Sequence, residues 1–155
     1  MVTSRKLYLA APLFNDLERG FNADLCALLE RRFDVFLPQR DGHLLPGSGL
    51  VGSEFDQKAR QVHKMDVSAM EGADLIFAVL DGRVIDEGVC FEIGFCFALG
   101  KRCIALRTDS RVLLPSGINP MISLSLSRIF ASLREVESWV EAGAPLIAHN
   151  GGTSD

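Results

Sequence analysis

Two carboxylates six residues apart carry the chemistry for which this chain can be read. Asp86 opens the segment DEGVCFEIG, and Glu92 sits inside an otherwise apolar run that continues to Leu99. An ionised carboxylate among Val89, Phe91, Ile93, Phe95 and Phe97 loses its hydration on burial, which is costly without compensation. Asp86-Glu87-Gly88 reads as a polar turn feeding a helix. Glu92 then falls in the first or second helical turn, near free backbone N–H groups and the positive end of the helix dipole. A carboxylate held there beside a second one is suited to nucleophilic or acid/base work. Alternatively, Glu92 faces solvent from a half-exposed helix or pairs with an arginine.

The elements that must position these groups follow from the pattern of apolar residues. Residues 6–11 (KLYLAA) form a short apolar run that reads as a buried first strand. Asn15 and Asp16 are good N-caps for a helix reaching Arg32, with Leu17, Phe21, Leu25, Leu28 and Leu29 at helical spacing. Residues 33–37 predict a second strand, closed by Pro38. Residues 39–53, rich in Gly, Pro and Ser, predict a mobile loop. A second helix is expected over residues 54–70, and a third strand over 74–80 with the continuous apolar character of a sheet covered on both faces. The Glu92 helix, a fourth strand at 103–106, a loop at 109–119, a short strand near 128–130 and a final helix at 133–141 complete the order. This alternation predicts one α/β domain over residues 1–147, a doubly wound sheet of about five parallel strands with helices on both faces. Residues 148–155 are expected to form a disordered tail.

Composition excludes several classes of partner. With 155 residues the chain is long enough for one packed domain. Its hydrophobic content of 48% and charged content of 23% are those of a globular protein. A formal net charge of -4 offers no broad basic surface for nucleic acid or an anionic membrane. The longest apolar run is too short to span a bilayer. The polar start of the chain predicts no signal peptide. The four cysteines, Cys26, Cys90, Cys96 and Cys103, form no C-x-x-C pair and read as reduced, buried thiols of a cytoplasmic protein. His43, His63 and His149 have no partners at metal-ligand spacing and read as surface or loop residues. No metal or cofactor is expected: GSGLVGS lacks the Gly-Lys-Ser/Thr end of a phosphate-gripping loop, and no G-x-G-x-x-G turn is present.

In a doubly wound sheet the ligand crevice lies beyond the carboxyl ends of the strands. Tyr8, Gln39, Asp41, Asp66, Asp86 and Glu92 can reach it. Tyr8, the single tyrosine, reads equally as plain packing or as a catalytic hydrogen-bond donor. Asp66, late in its helix, reads on sequence alone as part of a solvated face. Carboxylates without metal spacing suit glycosyl transfer, in which one attacks an anomeric carbon and another handles the leaving group's proton.

These residues resemble the nucleoside 2-deoxyribosyltransferase family. The matching pieces are LYLAAPLF at residues 7–14, Met65-Asp66, ADLI at 73–76, and DEGVCFEIG at 86–94 with ALGK behind it. The resemblance implies a flavodoxin-like fold and a nucleophilic role for Glu92. It further implies that Asp66 and Asp86 bind sugar hydroxyls and manage the base's proton, and that Tyr8 orients the nucleophile. By the same resemblance Gln39 is a base-recognition position; Leu13, Phe14 and Gly88, within the matching pieces, and Asp41, from its place at the crevice, are expected in the substrate site as well. Asn119 is implied to reach a neighbouring subunit's sugar site, which would make the active unit a homo-oligomer, a dimer or larger. The expected activity is transfer of 2-deoxyribose between nucleobases, with retention. The alternatives are hydrolysis of deoxynucleoside 5′-monophosphates, a non-catalytic nucleotide sensor, and, more remotely, NAD glycohydrolysis. A monophosphate site would need Arg19, Arg83 or Ser116, and Asp86 would repel the incoming dianion. Two features depart from the family pattern. Leu13 stands where some relatives have tryptophan, and the Gly151-Gly152-Thr153 tail has no clear family counterpart.

Overall fold

A computed structural model describes residues 4–43, 45, 48–111 and 117–145. The expected tail at 148–155 and most of the loop before residue 117 lie outside the described residues. Five parallel strands form one sheet in the order β2-β1-β3-β4-β5. They are β1 (Arg5–Ala10), β2 (Phe33–Phe36), β3 (Leu75–Val79), β4 (Arg102–Leu106) and β5 (Arg128–Phe130). This is the flavodoxin-like order, whose direction of winding reverses between β1 and β3.

The helices are α1 (Asp16–Leu29), α2 (Pro38–Asp41), α3 (Gly52–Gly72), α4 (Glu87–Ala98), α5 (Pro120–Ser123) and α6 (Leu133–Glu141). The expected strand and helix order holds, with three differences, the first being the single turn α5 at Pro120–Ser123, where no helix is expected from the sequence. The segment read as a loop from residue 39 begins as the single turn α2, because Pro38 supplies a fixed φ at its first position. The helix expected at 54–70 starts at Gly52 and ends at Gly72, longer at both ends. Its weak amphipathicity gave little sign of its limits.

Side-chain alternation along the strands splits the core in two. Leu7, Leu9, Leu75, Phe77, Val79, Ile104 and Leu106 face α1 and α6, where Leu25, Leu29, Val136 and Trp139 are buried. Trp139 packs against the rings of Phe33, Phe77 and Phe130, with centroids 5.4–6.4 Å away. On the opposite face Tyr8, Ala10, Ile76, Ala78, Cys103 and Ala105 meet Met70 of α3 and Val89, Ile93 and Cys96 of α4. The period of two in β1 therefore turns Tyr8 toward α4 while its neighbours Leu7 and Leu9 turn toward α1. Register places Tyr8 between Phe36 and Ile76, and its ring stacks on Phe36 at 5.6 Å.

Helix α4 is apolar nearly all round, but only Val89, Ile93 and Cys96 are buried. Phe91 and Phe97, expected to wall in Glu92, are about half exposed. A helical period of 3.6 residues allows only one stripe of α4 to face the sheet. Among the described residues, no helix is long and apolar enough to cross a membrane.

Candidate active site

The site forms where the carboxyl end of β1 meets the start of α4. Asp86 is the N-cap of α4, its Oδ1 accepting the Val89 N–H at 3.0 Å. That bond satisfies one of the free donors of the first turn and fixes the aspartate at the mouth of the crevice. Gly88 packs close beside it: a Cβ there would come 3.0 Å from Asp86 Oδ1, so the carboxylate would have to shift.

One and a half turns further along α4, the Glu92 carboxylate meets the fully buried Tyr8. The Tyr8 hydroxyl donates to Glu92 Oε1 at 2.6 Å. This excludes plain packing for Tyr8 and an arginine partner for Glu92. Burial pushes Glu92 up to about 8; the Tyr8 hydrogen bond pulls it down, and the charges of Asp66 and Asp86 push it further up. Tyr8 is itself driven well above the ordinary phenol range, first by burial and then by the glutamate's charge. The phenol therefore stays protonated and remains a donor.

Asp66 is not on a solvated face. Its Oδ1 is buried without a hydrogen-bond partner among the described residues, and burial raises its carboxyl to about 6 against a smaller opposing pull from His63. The sequence concealed this because α3 is polar along most of its length, and only packing reveals which of its polar residues turns inward. Gly42 lies against it: a Cβ there would come 2.7 Å from the Pro38 carbonyl oxygen and 3.4 Å from Asp66 Oδ1.

Asp66, Asp86 and Glu92 line one cavity of about 190 Å³ together with Leu13, Phe14 and Gly88. Tyr8 lies beneath it. His43, Leu45, Val62, Pro38 and Ala11 complete its wall. His43, read from sequence as a surface or loop residue, and Leu45 follow α2, just beyond Asp41. The cavity contains no lysine or arginine among its described lining residues. Among the described residues no group of His, Cys, Asp and Glu is arranged to hold a metal.

Three other expected residues lie elsewhere. The Gln39 amide is directed to α1: its Oε1 accepts from Asn22 Nδ2 at 3.0 Å and its Nε2 donates to the Arg19 carbonyl at 2.8 Å. Asn22, buried and also donating to the Pro12 carbonyl at 2.9 Å, thereby ties α2 to the β1–α1 connection. Asp41 closes the turn after β2, with Oδ2 accepting from Leu37 N at 2.8 Å and Arg40 Nε bonded to Oδ1 at 2.8 Å. The Arg40 hydrogen bond holds its carboxyl below the usual range. Asn119 caps α5 through the Met121 N–H and lines a separate cavity with Gly82, Arg83 and Cys90.

Over residues 7–145 the chain matches the model of the family described as nucleoside 2-deoxyribosyltransferase. The chain belongs to the nucleoside 2-deoxyribosyltransferase family. A nucleoside deoxyribosyltransferase of Limosilactobacillus fermentum is 30% identical over 111 residues, which cover 68% of this chain and 66% of that relative, slightly under two thirds of its length. A solved 2-deoxyribosyltransferase from Bacillus psychrosaccharolyticus superposes with a TM-score of 0.71 at 27% identity, covering 91% of this chain and 96% of that one. A CMP N-glycosidase from Clostridium botulinum shares the fold, with a TM-score of 0.55 at 21% identity over 88% of this chain and 99% of that one.

The raised Glu92 carboxyl has a consequence for stability in this family member. Glu92 keeps its proton in the folded chain up to about 8, against an ordinary value of 4.5. The folded state therefore binds more protons than the unfolded state between those values, and Glu92 costs stability progressively as pH rises through that window. Glu92→Gln removes the cost. In urea titrations the variant should match the parent near pH 4.5 and exceed it by on the order of 5 kcal/mol at pH 9. Equal stabilities at both pH values would contradict the assigned burial of the charge.

Proposed function

We propose that this protein moves 2-deoxyribose between nucleobases through a covalent intermediate on Glu92. The observation that carries the proposal is the Tyr8 hydroxyl bonded to Glu92 Oε1 at 2.6 Å in the floor of a carboxylate-lined cavity. Held by Oε1, the glutamate has Oε2 free to attack C1′ of a deoxynucleoside. The C1′–N bond breaks, its electron pair leaves with the base, and Asp66 in its acid form supplies the proton. The incoming base attacks C1′ from the vacated side, the C1′–Oε2 bond breaks, and Asp66 recovers a proton. Two displacements give retention. Asp86, fixed as the N-cap, is placed to accept hydrogen bonds from sugar hydroxyls.

The three carboxylates and the lack of a described lysine or arginine in the cavity wall favour neutral nucleosides over phosphorylated ones. A phosphate dianion entering beside Asp66, Asp86 and Glu92 would meet repulsion from each ionised group. Water in place of the second base would give hydrolysis at the same site.

Chromatography of deoxyinosine incubated with the protein tests the reaction directly. Deoxyadenosine should form only when adenine is present, and Glu92→Gln should reduce the rate at least a thousandfold. Equal hypoxanthine release with and without adenine would make the enzyme a hydrolase instead.

The pH profile follows from one proton shared between two roles. The reactive form has Glu92 ionised and Asp66 protonated, the minority arrangement of the one proton that the pair holds between about 6 and about 8, so kcat/KM should be bell-shaped, bounded by apparent values near 6 and 8. Tyr8→Phe should lower kcat/KM and move the upper limb higher, because the lost hydrogen bond had favoured the ionised glutamate. An unchanged profile would remove Tyr8 from this role.

We also place Asn119 at a contact between subunits. Val84, Met121 and Leu124 are more than three-quarters exposed, and the first two share the Asn119 cavity; exposed apolar groups of this kind suit a covered surface. Sedimentation should show a dimer or larger species, with Asn119→Ala lowering activity severalfold. Fully active monomers would contradict it.

A further inference from the structure

The base must be recognised at the mouth of the cavity, and the residue expected to do so does not line it. A volume of about 190 Å³ lies below the roughly 300 Å³ at which ligand pockets usually begin. With C1′ at Glu92 on the floor, the base must extend outward past the rim. Gln39, the base-recognition position implied by family resemblance, has both ends of its amide bonded to α1, to Asn22 and to the Arg19 carbonyl. Its wall position falls instead to His43, at the rim four residues further along the chain.

We infer that His43 is the base-reading residue of this enzyme. The inference rests on the proposed nucleoside chemistry and deepens it. Apart from the carboxylates Asp66, Asp86 and Glu92, His43 is the one side chain in the described wall that can hydrogen-bond, because Ala11, Leu13, Phe14, Pro38, Leu45, Val62, Gly88 and Val89 carry no polar side-chain atom. The side chain is exposed at the rim, where an entering base can reach it. A neutral imidazole presents one donor and one acceptor, which complements the neighbouring donor and acceptor groups on a nucleobase edge. Phe14, 62% exposed at the same cavity, offers an aromatic surface to the base. Discrimination by a hydrogen-bonding group exceeds what apolar contact provides, since a mismatched base leaves a polar atom unpaired. His43 therefore sets which base is accepted, while Leu13 and Phe14 supply contact that is less selective.

Binding to the inactive Glu92→Gln protein separates recognition from turnover. Calorimetry with deoxyadenosine, deoxyinosine, deoxycytidine and thymidine should show a clear preference in this background. Adding His43→Phe, which keeps an aromatic ring and removes the hydrogen bonds, should reduce the ratio of strongest to weakest affinity by about tenfold. Adding His43→Gln, which keeps one donor and one acceptor, should retain part of that ratio. A His43→Phe protein that keeps the ratio within twofold, or a Glu92→Gln protein that binds all four alike, would overturn the role of His43. Failure of the Glu92→Gln protein to bind any of the four would overturn the nucleoside reading itself, and the inference with it.

Discussion

The hydrogen bond from Tyr8 to Glu92 is the constraint around which the rest of this structure is arranged. It joins the middle of a buried strand to the second turn of an apolar helix, 84 residues apart in sequence. Its geometry requires that β1 keep its register between β2 and β3, and that α4 keep its stripe of Val89, Ile93 and Cys96 against the sheet. A slip of one residue in β1 would turn Tyr8 to the α1 face and leave Glu92 without its donor. The bond also resolves an electrostatic conflict. Burial and two neighbouring carboxylates oppose the ionised glutamate, and the phenol is the group that favours it.

The site is thus a local concentration of destabilising features on a stable frame. Three carboxylates face one small cavity, one of them with a buried oxygen that has no partner. Such arrangements persist where surrounding structure enforces them and where function needs perturbed groups. The frame is visible in the packing. Trp139 and its aromatic neighbours fill the α1–α6 face, which supplies none of the three carboxylates among the described cavity residues. The α3–α4 face carries Tyr8, Asp66 and Glu92. One side of the sheet stabilises, and the other side holds the strain of the site.

The connection after β2 shows how polar contacts prepare this cavity. Asn22 joins Pro12 and Gln39, and Gln39 joins Arg19, so that the β1–α1 connection and α2 are tied together. Asp41 and Arg40 close the same turn against Leu37 and Val35. Gly42 then permits close approach of this segment to Asp66. Residues whose types suggested substrate contact are occupied in holding the wall, and His43 just beyond them is left at the rim.

Sequence alone determined the α/β order, the parallel sheet and the special status of Glu92. Apolar runs and turn residues are local signals, and a carboxylate in an apolar segment stands out without any knowledge of contacts. The family motif around Asp86 and Glu92 was legible for the same reason, because an N-cap and a helical face lie within one short segment. Residue pattern without the family resemblance left the roles of Asp66 and Tyr8 open, and only the tertiary structure decided that Asp66 turns inward, that Tyr8 meets Glu92, and that Gln39 turns away from the cavity. Each of those facts depends on which face of one element packs against another. A polar side chain looks the same in sequence whether it meets water, a backbone carbonyl or a buried carboxylate.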